Sequence, residues 1–289
     1  DSLLQAMFRR GDWVRLRHGV YADSSVAHSV DPVVRHRIDL AAAIAATDEP
    51  TFAVGRAAAG VHGLPLPYAV PDAVHIVRDS RQDLRSLRRV SRHPLTIPTM
   101  HVTSHDGVAA TGQRVEGIAT VPVSVAAITS APHFGFTRKV GLFDAVLWRS
   151  DVTTDDIRTS LDEWPKLRDR ASSLAALALA RSGAQTYLET VSRLQLARTG
   201  LPEPQLPVPF HDDDGLIGIV DMHWPGYGVV GEADGAIKYT SRDDLVQEKR
   251  REDRLRALGL SVVRWMWDEI TTRPDAVGAR IRRAARSAA

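Results

Sequence analysis

Over the last third of the chain the residue pattern switches between helical and strand periodicity in one order, and that order restricts the fold more than any other feature. Residues 185–197 place Leu188, Val191 and Leu194 on one side of a helix, with Glu189 beside them, and Gly200, Pro202 and Pro204 close it. Strand patterns follow at 205–210, 216–221 and 228–232, the first two joined by the turn His211-Asp-Asp-Asp-Gly215. Ser241, Asp243 and Asp244 open a polar helix that runs to Gly259, and residues 260–265 form a last strand. The three aspartates of the turn are read first as turn-formers and second as metal ligands.

Strand parity inside this run gathers acid. Ile217, Ile219 and Asp221 share one face of their strand, and Val230, Glu232 and Asp234 share one face of the next, so each apolar face ends in a carboxylate. With Glu189 from the preceding helix, Asp221 and Glu232 would form a hard-oxygen pocket for Mg²⁺ or Mn²⁺, able to lower the pKa of a water and stabilise phosphoryl charge. The competing reading is that Asp221 and Glu232 are strand-end caps or ion-pair partners. On the polar helix, Leu245, Lys249, Glu252 and Arg256 lie on one stripe, flanked by Val246 and Leu255. Either that helix is exposed, with charges paired along its surface, or Lys249, Arg250 and Arg254 meet DNA phosphates or the acidic pocket.

The front of the chain reads as a short helix and a hairpin, Arg9-Arg-Gly-Asp-Trp-Val-Arg-Leu-Arg-His-Gly-Val-Tyr21, in which Arg15 and Arg17 alternate with Val14 and Leu16. The hairpin is either a wing whose arginines follow a phosphate backbone or a solvated edge that blocks aggregation. A helix over 33–47, a strand and helix over 52–65 with His62 packed inside, short strands at 74–77, 99–103, 107–110 and 117–120, and helical patterning over 123–147 follow. Arginines between Arg78 and Arg92 form a local positive cluster, read as a solvated segment or a phosphate contact. His101 and His105 lack the glutamate of a helical zinc motif, and metal binding is not expected there. Trp164-Pro165 marks a boundary, giving segments 1–36, 37–165 and 166–289.

Composition narrows the chemistry. None of the 289 residues is cysteine, which excludes disulfide scaffolds, Cys-ligated zinc, iron–sulfur clusters and thiol nucleophiles. The apolar windows are too short to span a membrane, and a cytoplasmic protein is expected. Net charge is only +2, so a nucleic-acid surface must come from local clustering. Of the 37 basic residues all but four are arginine, which suits bidentate phosphate contacts or reflects GC-rich coding.

Two resemblances give these patterns a setting. The order of helix, strands, helix and strand, with Glu189, Asp221 and Glu232-Ala233-Asp234 at those places, resembles the PD-(D/E)XK nuclease superfamily. More narrowly, Gln185-Thr-Tyr-Leu-Glu-Thr-Val-Ser-Arg193, Gly200-Leu-Pro-Glu-Pro-Gln205, Val220-Asp-Met-His-Trp-Pro225, Glu232-Ala-Asp-Gly-Ala-Ile-Lys238 and the block 248–265 resemble the very-short-patch-repair-like endonuclease domain, over about residues 170 to 270. The resemblance implies a three-layer domain in which Asp221, Glu232 and the Ala233 carbonyl bind the metal and Glu189 supports it. Where the superfamily pattern carries a lysine, two after Glu232, stands Asp234; Lys238 is the candidate to supply that charge.

The segment Arg9–Ala22 is similar to the end of the winged helix in AbiEi-type antitoxin and transcriptional-regulator proteins, and Arg56-Ala-Ala-Ala-Gly-Val-His-Gly-Leu64 to the α+β segment that follows it. The expectation is a mixed α/β chain: a winged-helix-like remnant, an α+β middle and a PD-(D/E)XK-like C-terminal domain. Its expected function is DNA binding with a divalent-metal endodeoxyribonuclease site. The alternative is a non-catalytic regulator, an antitoxin of a type IV toxin–antitoxin pair that binds DNA and a cognate toxin. A homodimer is plausible because cutting both strands usually takes two sites.

Overall fold

The computed structural model describes residues 2–29, 31–47, 50–66, 73–78, 99–103, 112–149, 151–165, 167–235 and 242–287. The chain is mixed α/β and divides into two compact units, one of residues 1–142 with 151–178, the other of 143–150 with 179–289. The expected strand at 107–110, His105, the arginines from Arg81 to Arg92 and Lys238 lie outside the described residues.

In the first unit, α1 (Ser2–Arg10) leads into the hairpin β1 (Trp13–Arg17) and β2 (Val20–Asp23), followed by α2 (Ser24–Ala27). Helix α3 (Pro32–Ala45) starts where its residues demand: Asp31 accepts the Val33 N–H at 2.8 Å, and Pro32 fills the first helical position. A five-stranded sheet follows, from β3 (Thr51–Ala53), β4 (Ala73–Arg78), β5 (Thr99–Thr103), β6 (Gln113–Val115) and β7 (Ile118–Thr120), in the order β5-β4-β3-β7-β6. Helix α4 (Gly55–Val61) lies between β3 and β4 in the chain. Just past its end the His62 ring meets the Val121 carbonyl at 2.8 Å, the packed histidine that its context suggests. Helices α5 (Val123–Ser130), α6 (Phe136–Trp148), α7 (Thr154–Glu163) and α8 (Arg170–Ala178) follow, and α6 passes into the second unit at residue 143.

The second unit has three layers. Its sheet runs β10-β11-β12, with β10 (Met222–Trp224) antiparallel and β12 (Ser261–Met266) parallel to the central β11 (Val229–Asp234). On one face Val229, Ala233, Val263 and Trp265 pack with Val191 and Leu196 of α9 (Tyr187–Arg198), and with Ile270 of α11 (Trp267–Thr272) and Val277 and Ile281 of α12 (Pro274–Ser287). On the other face Val230 packs with Ile217 and Val220 of the hairpin β8 (Val208–Asp212) and β9 (Gly215–Val220), and with Leu255 of α10 (Arg242–Ala257). The helix, strand and strand-order pattern of the last third is present, and β10 is the strand that the pattern hid behind Asp221.

Strict alternation fails in two hairpins, each time at a bulge. In β9 the pairing slips at Ile217, so Ile217 is 7% exposed while Ile219 is 52% exposed. The expected common face of Ile217, Ile219 and Asp221 is therefore broken, because a bulge inserts one residue and reverses the parity beyond it. In β1 the pairing slips between Arg15 and Arg17: Arg15 stays exposed, whereas Arg17 turns inward with its Nε and Nη2 buried and unbonded among the described residues.

Gly231 marks a tight point of the second core, since a Cβ there would stand 2.5 Å from the Trp265 ring and 2.9 Å from that of Trp224. Gly231→Ala should cost about 1–3 kcal/mol through overpacking, read as a lowered denaturation midpoint. In the first unit His36 is 8% exposed, with no hydrogen-bond partner for either ring nitrogen among the described residues, and burial, aided by the Arg56 charge, pushes its pKa down to about 4. A histidine held neutral stabilises nothing above its unfolded pKa of about 6.5, and protonation of the unfolded chain drains stability as pH falls from there towards 4, by about 3 kcal/mol at most. Urea titrations at both ends of that window should show this loss, and His36→Leu should remove that share of it; an unchanged pH dependence in the variant would exclude His36 as the source.

Candidate metal and nucleic-acid site

Helix α9 carries Glu189 at its first turn, and the start of that helix is fastened from both sides. Thr186 accepts the Glu189 N–H at 3.2 Å, while the Glu189 carboxylate accepts the Thr186 hydroxyl at 2.8 Å and the Gln185 N–H at 2.7 Å. Burial pushes the Glu189 pKa up against these donors, and the nearby Asp221 charge adds to the rise. From the next residue of α9 onward, the buried Asp144 of α6 accepts the Thr190 hydroxyl at 2.7 Å and Arg193 Nη2 at 3.1 Å, and it also accepts the Arg181 N–H at 2.7 Å. Burial raises the Asp144 pKa as well, although Arg193 opposes the shift. On the sheet side, Trp265 Nε1 donates to Ser192 at 2.7 Å. These bonds set the rotation of α9 and thereby the place of Glu189.

Asp221 follows β9 directly, and its Oδ2 accepts the Ala233 N–H at 2.8 Å, which draws its carboxylate to the end of β11. The charge of Asp221 is felt by both Glu189 and Glu232, so Asp221 stands between the other two predicted carboxylates electrostatically in spite of the bulge. Glu232 is only 4% exposed, and burial pushes its pKa up to about 7, against the pull of Arg251. Arg251 Nη2 donates to Glu232 Oε1 at 2.7 Å.

Arg251 is the residue that the sequence reading missed. Lys249 and Arg250 are exposed, and Arg254 bonds Asp212 at 2.7 Å and the Gly215 carbonyl at 3.2 Å, bracing the β8–β9 turn. The cation that reaches the acidic pocket comes instead from Arg251, on a stripe 248, 251, 252, 255 with i, i+3, i+4, i+7 spacing that ends in the buried Leu255. That spacing was available; the apolar anchor at only one end of it made the stripe hard to see. Arg264 was missed too. It bonds Glu248, pairs with Asp234 at 3.2 Å, and although burial works against its charge these acids raise its pKa. Asp234, at the position of the pattern's lysine, is thus an ion-pair partner, and Asp212 bonds the Asp214 N–H at 2.9 Å as a turn-former does.

Asp221 and Glu232 have the hard oxygen donors that Mg²⁺ or Mn²⁺ takes, and in donor chemistry they fit such an ion. Among the described residues no three acidic or imidazole groups converge into a ready cage. Glu189 is engaged by its own helix start and Glu232 by Arg251, so a cation would have to compete for Glu232.

The chain matches no protein-family model and no solved structure. It is similar to the uncharacterized protein MT2308 of Mycobacterium tuberculosis (strain CDC 1551 / Oshkosh) and to the uncharacterized protein Rv2248 of strain H37Rv, each 28% identical over 187 residues, 64% of this chain and 69% of the relative.

Removing Asp144 strands the buried Arg193 without its counter-charge. Asp144→Ala should therefore cost about 3–5 kcal/mol, measured by chemical denaturation. A loss below about 1 kcal/mol would mean that α9 is held by its apolar contacts and Ser192 alone.

Proposed function

We propose that the second unit is a PD-(D/E)XK-type domain that hydrolyses DNA phosphodiesters with a divalent metal ion, and that the chain binds DNA in the bacterial cytoplasm. The observation that supports this reading is the bond from the Ala233 N–H to Asp221, which sets that carboxylate beside Glu232 at the end of β11, with Glu189 of a separately fastened helix close enough to Asp221 to feel its charge. Asp221 and Glu232 would hold Mg²⁺ or Mn²⁺, which when bound supplies an activated water and charge stabilisation for the phosphoryl group. Glu189, on its separately fastened helix, would support the pair from beside Asp221. The exposed Arg15, Lys249 and Arg250 are suited to phosphate contacts that position the duplex, with Lys238 as a further candidate cation.

A second reading has an observation of its own. Asp234 stands where the pattern carries lysine and is paired with Arg264, an arrangement that favours a nuclease fold kept for binding. On that reading the chain is a DNA-binding regulator or an antitoxin that also meets a toxin.

Incubation with supercoiled plasmid separates the two. Metal-dependent nicking in Mg²⁺ or Mn²⁺, abolished by EDTA and in the Asp221→Ala, Glu232→Ala variant, is the expected outcome. Cleavage that survives in the variant would sink the site assignment. Salt-sensitive binding without cleavage, weakened by Arg15→Ala, would transfer the reading to the regulator.

A further inference from the structure

Arg251 is built into the acidic site. Its guanidinium donates to Glu232 Oε1 at 2.7 Å, to Glu248 Oε1 at 3.0 Å and to the Ile219 carbonyl at 3.1 Å, and its side chain is 19% exposed. The side chain passes over β9 at Gly218, where a Cβ would stand 2.5 Å from Nε. Glycine at 218 is what leaves room for the guanidinium at that depth. Glu248 is shared with Arg264, so Arg251 has a carboxylate beside it other than Glu232.

A guanidinium and a divalent ion repel each other across the few ångströms of a carboxylate, and in a partly buried site that repulsion is weakly screened. We propose that Arg251 is an internal counter-ion that competes with the divalent cation for Glu232, the ion entering as the guanidinium withdraws to Glu248 and the Ile219 carbonyl. This inference rests on the metal-site reading of Asp221 and Glu232, and adds what governs access to that site. Every contact that Arg251 keeps on withdrawal is already formed, so the exchange needs only a local shift of one side chain. The competing partners are a single-charge donor and a double charge. The device therefore sets a threshold: the site stays closed and neutralised until the divalent ion is concentrated enough to displace the guanidinium.

The test is direct binding of Mn²⁺ to the whole chain without DNA, with free Mn²⁺ counted by electron paramagnetic resonance. Arg251→Met should bind Mn²⁺ about tenfold more tightly than the unaltered protein. Gly218→Ala, which keeps the charge but forces the guanidinium aside, should shift affinity in the same direction by a smaller factor, and it carries the test should Arg251→Met fail to fold. Adding Asp221→Ala should abolish binding in every background. Equal affinity with and without Arg251, in proteins that still lose binding on Asp221→Ala, would overturn the counter-ion role and leave the metal site standing. Weaker binding in both variants would make Arg251 a support of the site and equally overturn it. Absence of Mn²⁺ binding in all of the proteins would overturn the metal site and the counter-ion together.

Discussion

A glutamate on the central strand of a three-stranded sheet, 4% exposed, cannot be left with its charge unanswered. Glu232 sits at that position of β11, and much of the polar layer of the second unit follows from the need to answer it. Among its described side chains, helix α10 is fully buried on the sheet only at Leu255, and next to it on the inner stripe it offers Glu248, Arg251 and Glu252. Arg251 meets Glu232, Glu248 steadies both Arg251 and Arg264, and Arg264 meets Asp234. The ion pairs with Glu232 and Arg264 give the polar stripe of this helix a charged surface to lie on.

The opposite face is governed by volume. Trp224 and Trp265 close over Gly231, their indole N–H groups bonded to the Pro202 carbonyl and to Ser192, and α9 and α12 cover the rest. Here too one charged pair is buried, Asp144 with Arg193, and it brings little net stability of its own because two charges lose their hydration to form it. Its contribution is position. An apolar face can slide by a fraction of a turn at small cost, whereas a carboxylate that must satisfy Thr190, Arg193 and the Arg181 N–H holds α9 in one orientation. Glu189, one residue before Thr190, inherits that orientation.

Much of this organisation was readable from residue order. Periodicity located α9, β9, β11, α10 and β12 because each is long enough for its pattern to repeat, and because Gly200, the Asp-rich turn and Gly259 punctuate them. Parity brought Glu232 and Asp234 to one face correctly, since β11 is regular: both turn towards arginines of the polar layer. It failed in β9 and β1, where a single bulged residue reverses the faces; in β9 the only mark of it in the sequence is Gly218 beside the slip, and β1 carries no such mark. The pairing partners of the carboxylates were also out of reach. Arg251 and Arg264 are two of many arginines, and what selects them is a fold-level coincidence: parallel pairing that sets Arg264 opposite Glu232, and a glycine at 218 that lets Arg251 through. Of the expected cations, Arg17 is turned inward by its bulge and Arg254 is spent on the β8–β9 turn, while Arg15, Lys249 and Arg250 remain on the surface.

The departure at Asp234 acquires a physical meaning from these contacts. A lysine two residues after Glu232 would place positive charge beside the acids from the same strand; here the strand adds another carboxylate, and positive charge arrives from α10 and β12. Arg251 and Arg264 face Glu232, Glu248, Asp234 and, at 3.9 Å, Glu252, with Asp221 close by. Acid outnumbers base in this cluster, so its field attracts cations and repels a phosphate backbone. A divalent ion held by Asp221 and Glu232 would offset most of that excess, and on the proposed reading it is this added charge that would let the pocket take a phosphate. On that reading occupancy by the cation, set against the guanidinium of Arg251, would come before any contact between the pocket and DNA, while the exposed Lys249 and Arg250 of α10 would meet phosphates independently of it.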